Sequence, residues 1–277
     1  MNRWVRSSLI AAAILPCLGL MAQEPIQQKE TTSDPMGIYF GGFGGWIYPY
    51  SLTVTQMGTA FFPEDSGGPL SVIAEGTAPS RTKGFGGLHI GYEWMNKIRP
   101  GFRLAPALEL EGSYFADTAK KADVVNQTLR LDHHELDSHE FIDTLPVRVG
   151  ALLANGILEF NNDYISPFIG FGVGVGFVSI HGANSLQTDP MESGVNHFNS
   201  DTSDYNTLFA TQAKAGLRYR FLKHYRLSAE YRLFYLTSSH FTFGAANYPT
   251  HVPTSPWTVK LSGMLYNAFT LGIDFIF

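Results

Sequence analysis

Three short runs in this chain carry the atoms that reaction chemistry needs. Ser238-Ser239-His240 sets hydroxyls beside an imidazole, and His197-Phe198-Asn199-Ser200 repeats the pairing with an amide between. Acyl transfer needs a hydroxyl within reach of a base and a donor placed for the oxyanion. Ser and His are common in polar loops, and both runs are read as loop residues. The third run, Asp132-His133-His134-Glu135 with His139 and Glu140, offers imidazoles and carboxylates to zinc or another divalent ion. Its spacing matches no recognised site, and a loop supplies no fixed ligand geometry. No catalytic, cofactor-binding or metal-binding residue is therefore assigned.

A larger set of charges sits at every second position of otherwise apolar stretches. Arg103, Arg148, Lys214, Arg218, Arg220, Arg226 and Arg232 are set against Glu93, Glu109, Glu111, Glu230 and Asp274. Alternation with period two is the mark of a strand with two unlike faces. The stretch that ends the chain shows it plainly. Phe269, Leu271, Ile273, Phe275 and Phe277 fall on one face, and Ala268, Thr270, Gly272 and Asp274 on the other.

Seven earlier stretches read as strands, and all but the first, whose glycines leave its facing open, repeat the pattern. They lie at about 37–48, 84–94, 102–115, 144–154, 164–179, 207–221 and 225–236. In the second, Leu88, Ile90, Tyr92 and Trp94 oppose His89, Gly91 and Glu93. In the third, Leu104, Pro106, Leu108, Leu110 and Tyr114 oppose Arg103, Glu109 and Glu111, with Pro106 pointing to a bulge or a shifted start. In the fourth, Leu145, Val147, Val149, Ala151 and Leu153 oppose Arg148. In the fifth, four glycines from Gly170 to Gly176 face Ile169, Phe171, Val173 and Val175. Such a face suits a narrow barrel that needs room for bulky neighbours.

The connections alternate long and short. The long ones fall at about 50–82, 116–143, 181–206 and 237–257, and are rich in Pro, Gly, Ser, Asn and Asp. Short turns on one side and long loops on the other are the signature of a transmembrane barrel. The fold class expected is all-β, an eight-stranded antiparallel up-and-down transmembrane β-barrel over 37–277, located in the cell outer membrane. A soluble lipocalin-type barrel is the competing architecture. It would put the charged faces outside and the apolar faces inside.

Composition agrees. Charged residues are 16% and aromatics 14%, too apolar for a disordered chain. No apolar run of 18 or more residues follows the N-terminus, which speaks against a helical membrane bundle. Residues 1–22 read as a signal peptide: Arg3 and Arg6, an apolar core over 9–21, and Ala22 at its end. Residues 23–36 read as a polar periplasmic lead-in. Cys17 lies within the signal core behind Pro16, so neither a lipoprotein site nor a disulfide is expected. Acidic residues outnumber basic ones, 24 to 19, which gives no reason to expect a nucleic acid partner.

Eight strands enclose a space just wide enough for side chains. The charges assigned to it must pair, because an isolated buried charge costs several kcal/mol. The lumen set expected is Arg103, Glu109, Glu111, Arg148, Lys214, Arg218, Arg220, Glu230, Arg232 and Asp274. Its role is structural.

Four stretches carry a family resemblance: 103–115, 164–177, 227–235 and 266–277. Together they resemble the small eight-stranded outer-membrane barrels of the OmpA-like transmembrane domain, OmpX and opacity-protein kind. The run Tyr-x-x-Pro-Phe-x-Gly-x-Gly-x-Gly from Tyr164 is also similar to rickettsial surface-antigen barrels. The final strand resembles the C-terminal insertion signal read by the barrel-assembly machinery. The resemblance implies a non-enzymatic, porin-like surface protein of the Gram-negative envelope, embedded among outer-membrane lipid and lipopolysaccharide. Its loops would serve adhesion, host or cell-surface contact, or envelope integrity. Two other readings stay open. One is a conduit resembling OmpW, with Phe85, Phe168 and Phe234 lining an apolar path. The other is a barrel lipid A-modifying enzyme using Ser239 and His240, although neither Ser/His run reproduces the His-x-Ser-Asn arrangement of the deacylases.

Overall fold

The computed structural model describes residues 37–79, 81–94, 96–99, 102–130, 136–161 and 165–277. At 96–99, 102–103, 117–130, 136–138 and 161 it describes backbone alone. The signal peptide, the lead-in and Asp132 to Glu135 lie outside the described residues, as does the Arg103 side chain.

The described residues form strands in the order β1 (Gly37–Pro49), β2 (Leu52–Ala60), β3 (Leu70–Ala78), β4 (Lys83–Glu93), β5 (Asn96–Arg99), β6 (Phe102–Arg130) and β7 (Leu136–Asn161). There follow β8 (Ile165–His181), β9 (Asn184–Asp189), β10 (Ser203–Leu222), β11 (Tyr225–Leu236), β12 (Ser239–Phe243), β13 (Trp257–Leu261) and β14 (Met264–Ile276). Eight of them close into an antiparallel barrel, β1-β4-β6-β7-β8-β10-β11-β14, with β14 pairing back on β1 at Tyr39↔Ile276. The termini of this wall and its short turns share one end, called lower here. A two-residue turn joins β10 to β11, where Leu222 pairs with Tyr225.

Alternation decides which face is which. On β8, Ile165, Ile169, Phe171, Val173, Val175 and Phe177 point out, while Ser166, Phe168 and four glycines point in. A side chain at Gly172 would meet Asn155 Oδ1, so the glycine face admits side chains from the strands beside it. Leu108, Phe269 and Leu271 are 61%, 64% and 66% exposed on the outside. So much exposed apolar surface in one belt calls for hydrocarbon as its solvent. A closed wall satisfies every ladder group without water, as a membrane span requires. The protein is an outer-membrane β-barrel, and the soluble alternative, with apolar faces inward throughout, fails on this belt.

Pro106 sits inside β6 without breaking it. Its carbonyl accepts from Trp94 N at 2.9 Å, just where β4 ends and before β5 begins. The missing N–H lies on that same edge of the strand, in the gap between two partners.

The long connections differ from the loops expected. β6 runs to Arg130 and β7 starts at Leu136, so 116–143 is largely a continuation of the barrel hairpin. The 50–82 segment holds the β2–β3 hairpin, 181–206 holds β9, and 237–257 holds β12 and the start of β13. These strands extend the wall as β12-β13-β2-β3-β6-β7-β9. Hydrogen bonds from Thr237 N to Phe209 O and from Gly244 N to Asp201 O tie the β12 side to β10. The Pro and Gly residues of 63–69 mark only the turn between β2 and β3, where Gly67 and Gly68 take φ of 95° and 71°. Leu70, Val72 and Ala74 point in, and Ser71, Glu75 and Thr77 point out, so the strand signal was present but short.

Candidate functional site

The lumen is filled in two layers. The lower layer is ionic. Lys214 Nζ bonds Glu109 at 2.5 Å and Glu111 at 3.1 Å. Arg232 bonds Glu111 and Glu230, each at 2.5 Å, and Thr270 at 3.2 Å. Arg226 spans Glu93 at 2.7 Å, Asp274 at 2.9 Å and Glu159 at 3.2 Å. Arg218 bonds Glu159 at 2.8 Å. His89 links the two ends, 2.8 Å from Asp274 and 4.0 Å from Glu109, and Tyr39 donates to Glu109 at 3.0 Å. Asn155 donates to Glu109 and Glu111, and accepts from Gln212 at 2.7 Å.

Aromatic rings cover this lattice. The Arg232 guanidinium lies 3.7 Å from the Phe43 ring centre and that of Arg218 lies 4.3 Å from Phe168. A desolvated cation over a ring gains on the order of 2 kcal/mol. Above, the inward residues turn apolar. Phe85 packs on Phe43 and Phe115, and Phe234 on Phe115 and Tyr266. Higher still, Phe141, Phe198, Phe241, Phe243, Trp257 and Leu261 are buried in the same cluster. The three phenylalanines proposed to line a conduit are thus packed against neighbours.

Of the expected lumen set, Glu109, Glu111, Lys214, Arg218, Glu230, Arg232 and Asp274 meet in the lower layer. Arg220 is half-buried beside the β10–β11 turn. Arg148 is a correction: it is exposed on the outer face, while Leu145, Val147, Val149, Ala151 and Leu153 point inward. Here the core is apolar, so the face carrying the apolar residues is the inner one. Tyr39, Asn155, Glu159 and Gln212 join this layer from outside the expected set. Asn155 and Glu159 fall in the short connection expected between the fourth and fifth stretches, yet they keep the parity of Leu145 to Leu153. β7 continues through them, and these polar groups mark the face of Leu145 to Leu153 as the inner one. On β14, Phe269, Leu271, Ile273 and Phe277 are exposed and Phe275 is half-buried, all outward.

The Ser/His runs do not assemble a nucleophile and base. Ser239 is buried and His240 exposed, since neighbours on a strand point to opposite faces. Ser200 Oγ donates to Ala245 O at 2.8 Å, whereas His197 is buried with Nδ1 3.1 Å from Ser185 O. His139, from the segment considered for metal, lines a small upper cavity with Glu192, His197 and His251. Beside it the buried Asp143 carboxyl faces Ser185 and the Gln56 amide nitrogen, at 3.0 Å once that amide is turned to donate. Burial pushes this carboxyl up to about 7, against the opposing pull of the Ser185 hydroxyl and His197.

No family model matches the chain, and no curated protein matches it. Among solved structures it is similar to Neisserial surface protein A, at 12% identity and a TM-score of 0.36, over 85% of this chain and 99% of that one. It is similar to the outer membrane protease OmpT of Escherichia coli, at 9% identity and a TM-score of 0.42, over 88% and 97%. It is also similar to OprG of Pseudomonas aeruginosa, at 12% identity and a TM-score of 0.41, over 87% and 97%.

Proposed function

We propose that this barrel is a non-enzymatic surface pillar, whose upper end faces outward and serves adhesion, host contact or envelope integrity. The observation that carries the reading is the filled lumen. A lattice of buried ion pairs below and a packed aromatic core above leave the described interior occupied by side chains. A wall of this kind is a rigid support, and its exposed product is the sheet formed by β2, β3, β9, β12 and β13. Chemistry for recognition would lie on the outer faces and turns of those strands. The belt would contact lipid and lipopolysaccharide, and the outward aromatic face of β14 would meet the barrel-assembly machinery.

Planar-bilayer recording tests the plug. The refolded mature protein should give no conductance steps, whereas steady single-channel openings would return the conduit reading. The surface role is tested by replacing 52–78 with a short turn. Cells carrying that variant should keep a folded barrel, shown by a heat-modifiable gel shift, and lose adherence or detergent resistance. Unchanged adherence and resistance would remove the assigned role.

A further inference from the structure

Above the membrane belt, Glu192, His197 and His251 bring one ligand atom each within 4.8 Å of one another. Nε2 of His197 lies 3.3 Å and Nε2 of His251 lies 3.1 Å from the same oxygen, Glu192 Oε2. Two donors on one tetrahedral zinc, with bonds of 2.0–2.2 Å, stand roughly 3.3 Å apart. The spacing is therefore that of ligands sharing an ion.

The protons point the same way. Nδ1 of His197 is 3.1 Å from Ser185 O, and Nδ1 of His251 is 2.6 Å from Val252 O. A carbonyl only accepts, so each Nδ1 carries the hydrogen. The other nitrogen of each ring, Nε2, faces Glu192 Oε2. The Glu192 side chain is 34% exposed and sets Oε2 between the two rings. Backbone carbonyls that orient the far ring nitrogens in this way are the usual outer support of histidine ligands.

We propose that Glu192, His197 and His251 form a binding site for zinc, or a similar divalent ion of the first transition row. Nitrogen and carboxylate donors in a three-ligand set suit that class rather than calcium or magnesium. A neighbouring cavity of about 40 Å³, bordered by Trp257, Phe141 and His139, has room for one water as fourth ligand. The ligands come from two chain segments, 190–197 after β9 and 244–256 between β12 and β13. The ion would fasten them together at the crown of the barrel.

The test uses the full mature chain refolded in detergent and stripped with chelator. Competition against a chromophoric zinc chelator should show one zinc bound per chain. Cobalt(II) substitution should give the intense visible absorption of a tetrahedral N/O site. Glu192→Gln and His251→Ala should each weaken zinc at least tenfold while keeping the heat-modifiable gel shift, and His240→Ala, on the exposed face of β12, should bind as wild type. Bound zinc should also slow proteolysis within 184–256. Failure of the wild-type protein to bind zinc would overturn the site. So would Glu192→Gln and His251→Ala both binding as wild type, or a loss that His240→Ala reproduces.

Discussion

Along the lower part of β7, Asn155 and Glu159 point into the lumen and Leu152 and Leu158 point out. Further up the same strand, Leu145, Val147 and Val149 point in and Arg148 points out. The other walls change in the same way. β11 passes from Arg226, Glu230 and Arg232 to Phe234 and Leu236, and β14 from Asp274 and Thr270 to Ala268, Tyr266 and Met264, all inward. The solvent outside explains the reversal. Against hydrocarbon, an outward Leu loses nothing, and pulling it inside gains little. The lower interior can therefore be polar, provided its charges pair. Against water, burying a Leu or Phe gains about 1.5–3 kcal/mol, so the upper interior must be apolar. One half is held by ion pairs, the other by the hydrophobic effect.

The largest expected effect tests the ionic half. Arg232→Met removes both bonds to Glu230 Oε2 and leaves Glu111 with Lys214 as its one cation, beside the Asn155 amide. Removing one member of a buried pair costs about 3–5 kcal/mol. Urea unfolding of the refolded protein should show that loss, and Arg232→Met with Glu230→Gln should recover part of it. A loss under about 1 kcal/mol would mean that the lattice is solvated and that the two halves do not differ in this way.

The next effect is a pH dependence belonging to the upper half. The folded Asp143 carboxyl titrates near 7, above its ordinary 3.8. Between those values the folded protein holds a proton that the unfolded chain has released. Stability should thus fall as pH rises from about 4 to about 7, and its Asp143 contribution should level off above that. The full loss is at most about 4 kcal/mol, at 1.36 per unit. Asp143→Asn should flatten this part of the curve, measured with chelator present. An unchanged slope would show that Asp143 is ionised in the fold.

Smaller and more local is Leu145→Ala. It removes a fully buried side chain from the upper core and should cost about 3 kcal/mol. Protease should then cut 184–206 faster while the lower barrel keeps its gel shift. Simultaneous loss of both would show that the two layers unfold as one unit.

These two solvents also explain what the sequence discloses. The eight walls were legible because a membrane strand alternates cleanly and is bounded by turn residues. Lys214, Arg218, Glu109 and Glu111 could be placed inside from parity alone. Strand ends above the belt were not legible, because β2 and β3 mix Thr, Ser and Gly with short apolar residues, and because Pro63 and Gly67-Gly68 make the segment look like a loop. The pairing of His197 with His251 was not legible either. It depends on two irregular segments, 190–202 and 244–256, meeting at the crown, which no periodicity encodes. Arg148 differs for another reason: its strand spans both regimes, and the polar face that points inward beside lipid points outward beside water.

The smallest effect is therefore the sharpest comparison. Arg148 and Arg232 are the same residue type in the same wall, one exposed beyond the lipid belt and one buried in the lattice. Arg148→Leu should change unfolding stability by no more than about 0.5 kcal/mol, as exposed substitutions do. An apolar side chain there would extend the belt upward by one position, so the variant should at most shift how deep the barrel sits. Tryptophan quenching by lipids brominated at defined depths would report this through the outward Trp46. If Arg148→Leu instead cost several kcal/mol, the charge would belong to the interior after all. The reversal of polarity along β7, on which the division into two halves stands, would then be lost.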